Sequence, residues 1–345
     1  MTALESDAVM APRGNWIVDA KYRFPSRYLV SWVALIAVGA GVAVMQPATF
    51  AGPSVSLITA IAGVLVLASI GQLLLVMLGA IDLSVASMIT LAAAVNVHYL
   101  DSLGSAGSFA LAIAMCMGIS LISGVLITFF HLNSLIVTLA MNTIVSASLL
   151  LWMGQTFSTD GQAPPWLRSI ATSYKWNVSA IFVVAVVFAV STAFFLGRTR
   201  AGRRLVATGA NRRAAHVLGV RINRLSLLTF VAAGAFYAVA GSLLAGFVRV
   251  PNADLGTPYM LLTVTTVAMA GAVFAGGPVS VSSLIAACLL LQVLDQALAI
   301  ENFSPGVRLM VQGVVLILAV AANTLMQFGR SGFTRLRSLG SLRGK

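Results

Sequence analysis

The chain has 345 residues, of which 59% are hydrophobic and 9% charged, and its mean hydropathy is +0.98. A soluble chain carries about 25% charged residues, so a water-coated globule and a disordered chain are both excluded. Thirty glycines without a three-residue period exclude collagen, and long unbroken apolar runs replace the alternating segments of about ten residues that a transmembrane barrel needs. What remains is an all-α polytopic membrane protein.

In chain order, residues 1–27 form a mixed polar arm, too long and too acidic for a signal-peptide n-region, and the apolar run after it reads as a retained span. Ten spans are expected, over 28–45, 55–79, 84–99, 107–130, 134–154, 176–197, 225–248, 259–275, 279–300 and 307–328. Aromatic rings at several ends (Trp32, Tyr99, Trp152, Trp176 and Tyr259) fit the interfacial belt. The transmembrane domain is therefore 28–328, with a hydrophilic stretch at 198–224 and a basic tail at 329–345. Net charge is +12, and three stretches hold all but four of the 21 basic residues. These are the arm (Arg13, Lys21, Arg23, Arg27), the 198–224 stretch (including Arg212 and Arg213) and the tail (Arg330 to Lys345). Ten spans put all three on one side, and the excess of Lys and Arg makes that side, with both termini, cytoplasmic. Basic residues that flank spans, with no aromatic platform among them, exclude nucleic acid as partner and leave membrane lipid.

The chain echoes itself at an offset of 196: Ser84-Val85-Ala86-Ser87-Met88-Ile89 parallels Ser280-Val281-Ser282-Ser283-Leu284-Ile285. Gly79 precedes the first stretch and Gly276-Gly277-Pro278 the second, which suggests a parallel repeat of helices 2–4 and 8–10 with Asp82 opposite Pro278. Asp82 lies between two apolar runs with no real loop. A broken helix lowers the cost of an acid at that depth, and Asp82 or Ser84 can then cap the helix that follows. Asp295 lies in another apolar run, with Gln292 and Gln296 at one-turn spacing. Gln72, Asn142, Thr90, Asn96, Thr138, Thr263, Thr265 and Thr266 are further polar groups expected to face protein or a wet path rather than lipid. The candidate translocation residues are Gln72, Asp82, Ser84, Asn142, Gln292, Asp295 and Gln296. No phosphate-binding loop, nucleophile elbow or metal spacing is visible, so no catalytic residue, metal or cofactor is expected. Cys116 and Cys288 read as small buried hydrophobes. In the cytoplasmic stretch, Asn211 to Val220 reads as a short helix stopped by Gly219.

At these residues the chain resembles the membrane subunits of bacterial ABC importers for monosaccharides, the ribose/galactose/xylose-type permeases. Ile81-Asp82-Leu83-Ser84-Val85 is similar to that family's I-D-L-S-V-G signature, with Ala86 at the Gly position. Leu132 to Leu139 is similar to its N-P-F-I-V-T-L element, with Ser134 at the Pro position. Thr199 to Val220 resembles its cytoplasmic loop, with Arg213 where a Glu is common, and Asp295-Gln296 stand where the family often has paired Asn. The resemblance implies a chain that performs no catalysis and forms the pathway with a second permease chain, identical or paralogous. Separate ATPase subunits would couple through Asn211, Arg213, Ala214, Ala215 and Gly219, and an extracytoplasmic binding protein would deliver a monosaccharide or small polyol, with Pro164-Pro165-Trp166 near its docking side. Rival readings are an importer for a sugar-like autoinducer or a nucleoside, and a proton-coupled carrier using Asp82 and Asp295. The orientation has a direct check: single cysteines placed at Arg212 or Lys345 label only after the cell membrane is permeabilised, and labelling from outside intact cells contradicts it.

Overall fold

The computed structural model describes residues 29–156, 162–248, 251–273, 276–319 and 321. The N-terminal arm and the basic tail lie outside the described residues. Each of the ten expected spans has a helix: α1 (Val30–Met45), α2 (Gly52–Met77), α3 (Val85–His98), α4 (Leu100–Phe129) and α5 (Ser134–Thr156) in the first part. The connection after α5 carries a short helix, α6 (Pro165–Ala171), and a two-stranded hairpin, β1 (Tyr174–Lys175) with β2 (Val178–Ser179), paired antiparallel. Then come α7 (Ala180–Arg198), two helices outside the spans, α8 (Arg200–Ala210) and α9 (Arg212–Val217), and the spans α10 (Ile222–Val248), α11 (Thr257–Met269), α12 (Val281–Ile300) and α13 (Pro305–Ala319). Among the described residues, α2, α4, α5, α7, α10 and α12 are long and apolar enough to cross a membrane unaided. The other four are shorter.

The sequence accounts for the layering. α2 is apolar on every side, the pattern of a helix surrounded by others, and it is buried from Ile58 to Met77 except at Ile61. α7, α10, α11 and α12 pack around it, and α10 also crosses α3 and α4. Lipid tails are as apolar as leucine, so these helices hold by close packing at small residues rather than by a hydrophobic difference. At Gly234 of α10 an added Cβ would lie 2.6 Å from the Cys116 carbonyl oxygen of α4, and at Gly63 of α2 one would lie 2.8 Å from the Ile181 backbone of α7. Outward faces of α4, α5, α7 and α13 keep large apolar side chains exposed, such as Ile136, Phe194 and Met310, as lipid contact requires. The polar groups inside spans behave oppositely: Gln72, Thr90, Asn96, Thr138, Thr263, Thr265 and Thr266 are all buried, and so are Cys116 and Cys288.

At about 1.5 Å per residue, 14-residue α3 spans only about 21 Å, short of the ~30 Å hydrocarbon core. Irregular chain at 80–83 leads into it, and irregular chain at 272–273 and 276–280 likewise leads into α12. The two helices before these breaks end in the same hydrogen-bond pattern. Gly79 N–H donates to the Val76 carbonyl (2.9 Å) and Ala80 N–H to that of Leu75 (3.1 Å). Gly271 N–H donates to Ala268 (3.0 Å) and Ala272 N–H to Val267 (3.2 Å). Gly79 and Gly271 have φ of 79° and 85°, the left-handed turn that ends a helix. The repeated unit is thus helix–break–helix, α2–α3 and α11–α12. The turn glycines that end the first helices, Gly79 and Gly271, are 192 residues apart, whereas the second helices begin at Val85 and Val281, at the offset of 196 read from the sequence, so the second break is four residues longer.

Close packing sets a prediction. Gly234→Leu drives α4 and α10 apart and destabilises the chain by about 2–3 kcal/mol. Thermal unfolding in detergent reads this as a clear drop in midpoint, and an unchanged midpoint contradicts the contact.

Candidate functional site

Two polar clusters and one knob outside the spans collect the residues singled out in the sequence. The first cluster is the break before α3. Irregular backbone inside a membrane must find hydrogen bonds from protein, since no lipid supplies them. Side chains do so here residue by residue. Ile81 N–H donates to Ser134 Oγ (3.3 Å) and Leu83 N–H to Thr138 Oγ1 (3.0 Å), both from α5. The Thr138 hydroxyl lies 2.8 Å from the Ser134 carbonyl of its own helix and 3.3 Å from that of Ile81. The Gln72 amide of α2, oriented so that every group is matched, donates to the Asp82 carbonyl (2.9 Å) and accepts from the Asp82 N–H (3.2 Å). It acts as a substitute strand for a single residue. Asp82 Oδ1 accepts from Ser84 N–H (2.8 Å) and Ser84 Oγ (2.6 Å), so Asp82 rather than Ser84 secures the start of α3. Asn142 accepts from Ser87 N–H (3.1 Å) one turn into that helix. Tyr237 of α10 brings its hydroxyl within 3.3 Å of the Gln72 amide.

Four candidates, Gln72, Asp82, Ser84 and Asn142, therefore meet in one network, and the first three are completely buried. They hydrogen-bond to one another and to the backbone of the break and of α3. A cavity of about 490 Å³ does reach the break's backbone at Leu78, Gly79 and Ala80, and it is closed by Thr128, Ser134, Arg212 and Ser226 among others.

The second cluster lies between α10, α11, α12 and α13, around a cavity of about 310 Å³. Asp295 pairs with Arg308 Nη1 at 3.0 Å, and its other oxygen accepts from Gln312 Nε2 at 3.2 Å. Gln292 and Asp295 both line this cavity, one helical turn apart. Gln296 is half-buried on the same helix and is not among the lining residues. Tyr259, expected in the interfacial belt, is buried and forms part of the wall. Sequence reasoning missed Arg308 and Gln312, although their spacing of four on the last apolar span was a visible signal.

The knob is α8–α9. Asn211 caps α9 by accepting from Ala214 N–H (3.0 Å), and Gly219, with φ of 76°, ends it. Ala215 is buried against the protein, whereas Arg213 and Ala214 face out. Val217 and Leu218, which the sequence reading passed over, are 86% and 79% exposed. Gly209, at the end of α8, lies against both breaks: a Cβ there would sit 3.2 Å from Gly277 N, and it also packs on the Met77 carbonyl. Gly277 N–H donates to that same Met77 carbonyl (3.1 Å).

Residues 54–320 match the family described as branched-chain amino acid transport system permease components. The chain belongs to this family. A ribose import permease of Haemophilus influenzae is 24% identical over 308 residues, 87% of this chain and 95% of the relative. A galactose/methyl galactoside import permease of Escherichia coli is 28% identical, covering 71% of this chain and 78% of the relative. An autoinducer 2 import system permease of Yersinia enterocolitica is 26% identical, covering 83% and 79%. No solved structure matches. The chain is a multi-pass membrane permease component, all-α, and its family is one of transport subunits rather than enzymes.

Replacing Gln72 with Leu strands the Asp82 N–H and carbonyl without water. Each stranded group costs roughly 1–3 kcal/mol, so Q72L lowers the unfolding midpoint more than Asn142→Leu, which frees one N–H near a helix start. Equal stability of Q72L and the unaltered chain contradicts the network.

Proposed function

We propose that this chain forms the translocation pathway of an ATP-driven importer for a monosaccharide or similar small polyol, energised by separate ATPase subunits. What carries the reading is the similarity, over most of the chain, to permeases named for ribose, galactose and autoinducer 2 import. The polar groups support it. The cavity at Asp295 carries one acid and one base already paired, so it offers hydrogen bonds without net charge, as suits a neutral solute. The proton-coupled reading loses ground for the same reason. Asp82 Oδ1 is bonded to Ser84 and Asp295 is paired with Arg308, in separate clusters, so the two acids do not form the pair that a relay between them would need.

The second permease chain, identical or paralogous, and an extracytoplasmic binding protein complete the assembly. The ATPases dock on the cytoplasmic knob. Basic Arg212 and Arg213 beside exposed Val217 and Leu218 suit an acidic groove with an apolar floor. Asn211 and Gly219 fix the ends of α9, and Ala214 and Ala215 set how closely it is approached. From there the route inward is short, because α8 follows directly behind and its Gly209 touches the Met77 and Gly277 backbone of both breaks. A push on α9 is therefore delivered where α2–α3 and α11–α12 are jointed. The remaining candidates, Gln72, Asp82, Ser84 and Asn142, serve transport by keeping the first joint intact, and Gln292 and Asp295 by facing the solute.

Ala214→Glu and Leu218→Asp place acids on an exposed surface without touching the spans. Each lowers ATPase co-purification and ATP-driven sugar uptake about tenfold or more, as loss of an interface anchor does, while membrane insertion is unchanged. Full co-purification and uptake would contradict the docking role.

A further inference from the structure

The cavity between α10, α11, α12 and α13 is more than a widening in a path. We infer that it is an outer-side binding subsite for a single neutral sugar ring, built on Gln292, Asp295, Arg308 and Gln312, with Tyr259 and Phe247 as its wall. The inference rests on the proposed importer reading and the orientation given by the basic stretches. In that orientation α10 and α12 end, and α11 and α13 begin, on the extracytoplasmic side, and the cavity lies at those ends.

Size comes first. About 310 Å³ is at the bottom of the roughly 300–1,000 Å³ range of small-molecule sites, room for one ring but not an oligosaccharide. Composition comes second. The polar groups converge from two helices onto a mostly apolar lining, the arrangement that fixes a ligand with one hydrophobic face and several hydroxyls. Asp295 is an acceptor on both oxygens, the Gln292 and Gln312 amides add donors and acceptors, and Arg308 supplies donors. Arg308 Nε is buried and has no hydrogen-bond partner, although Nη1 of the same group is paired with Asp295. A buried donor left empty is uncommon, but Nε itself is out of contact with solvent, so a ligand hydroxyl reaches the accessible part of the Arg308 side chain rather than Nε.

Charge decides the class. Asp295 and Arg308 hold each other at 3.0 Å, with about a quarter of each side chain accessible. An anion or cation gains no net attraction from such a pair and loses its own hydration. A zwitterionic amino acid could find both partners only by prising them apart. A neutral polyol bonds to the pair as it stands, with hydroxyls donating to Asp295 and accepting from Arg308.

The test uses the full chain in lipid nanodiscs. Leu309 lines the cavity and is half exposed, and the native Cys116 and Cys288 are buried, so Leu309→Cys gives one reactive thiol. D-Ribose, D-galactose and leucine are each titrated against its labelling by a polar thiol reagent. The expected result is saturable protection by at least one sugar and none by leucine. Adding Gln292→Leu raises the protecting concentration about tenfold, the loss of one good hydrogen bond. Gln312→Leu serves if the Gln292 variant fails to fold. Protection by leucine alone overturns the polyol class. No protection by either sugar, while the unaltered importer still takes up sugar with its ATPase, overturns the subsite and leaves the importer reading standing. Sugar uptake that needs no ATPase overturns the importer reading itself, and the inference with it.

Discussion

The fold depends on one constraint: a membrane-buried chain that stops being helical must have its backbone hydrogen-bonded by other parts of the protein. Between Gly79 and Ser84 that need is met by the Gln72 amide, the Ser134 and Thr138 hydroxyls and the Asp82 carboxylate. The donors and acceptors come from α2, α5 and the break itself, so α3 can form only where α2 and α5 already flank it. The burial of Asp82 follows from this. Its carboxylate is an internal cap whose partners are the next turn's N–H and hydroxyl, which offsets part of the cost of placing it there.

The second break is handled differently. Its longer course folds back so that Gly277 N–H meets the Met77 carbonyl at the end of α2, and the carbonyl of Met269, the residue that corresponds to Met77 by its position before the turn glycine, is instead met by Ser31 Oγ of α1 (2.6 Å). The two helix–break–helix units thus share an ending but not a cap. Between them, Ser69 of α2 and Thr266 of α11 hydrogen-bond at 2.7 Å in the buried interior. The units are joined along their first helices and at the first break, and the chain leaves them free to differ elsewhere.

Much of this was legible. Composition and run length named the class and located all ten apolar helices, because the requirement for about 20 greasy residues is strong and local. The break at Asp82 was legible because an acid flanked by apolar runs has few tolerable positions. The short helix α9 and its stop at Gly219 were legible from side-chain chemistry alone, whereas its cap by Asn211 came from the structure. The partners of these residues were not. Nothing in the spacing of Gln72 and Asp82, or of Leu83 and Thr138, states that they touch, since those contacts depend on how helices far apart in the chain pack. The Asp295–Arg308 pair was missed because it crosses a helical hairpin, where registry is set by the turn and not by helical period. The offset of 196 was legible where the second helices begin, at Val85 and Val281, but the turn glycines Gly79 and Gly271 lie 192 apart, because a left-handed turn needs only a glycine and carries no longer side-chain pattern.

Under the proposed function, these features bear on how movement of a separate ATPase reaches the spans. A uniform helix bundle resists a local push, because each helix moves as a rigid rod and every neighbour must give way. A bundle whose central helices are interrupted has joints, and here the joints are gathered. The Met77 carbonyl, Gly209 and Gly276 lie in backbone-to-backbone contact, with a Cβ on Gly276 falling 3.1 Å from the Gly209 carbonyl and 3.2 Å from that of Met77. Side chains are absent at two of the three points, so nothing soft lies between α8 and the breaks. Under the proposed function, displacement of α9 by an ATPase is passed through α8 without loss to both central units, while the long helices α4, α5 and α7 stay seated in lipid. The cost of such a joint is the set of buried hydrogen bonds that hold it, which is why the most polar part of the membrane interior lies where the protein has to bend rather than only where the solute has to pass.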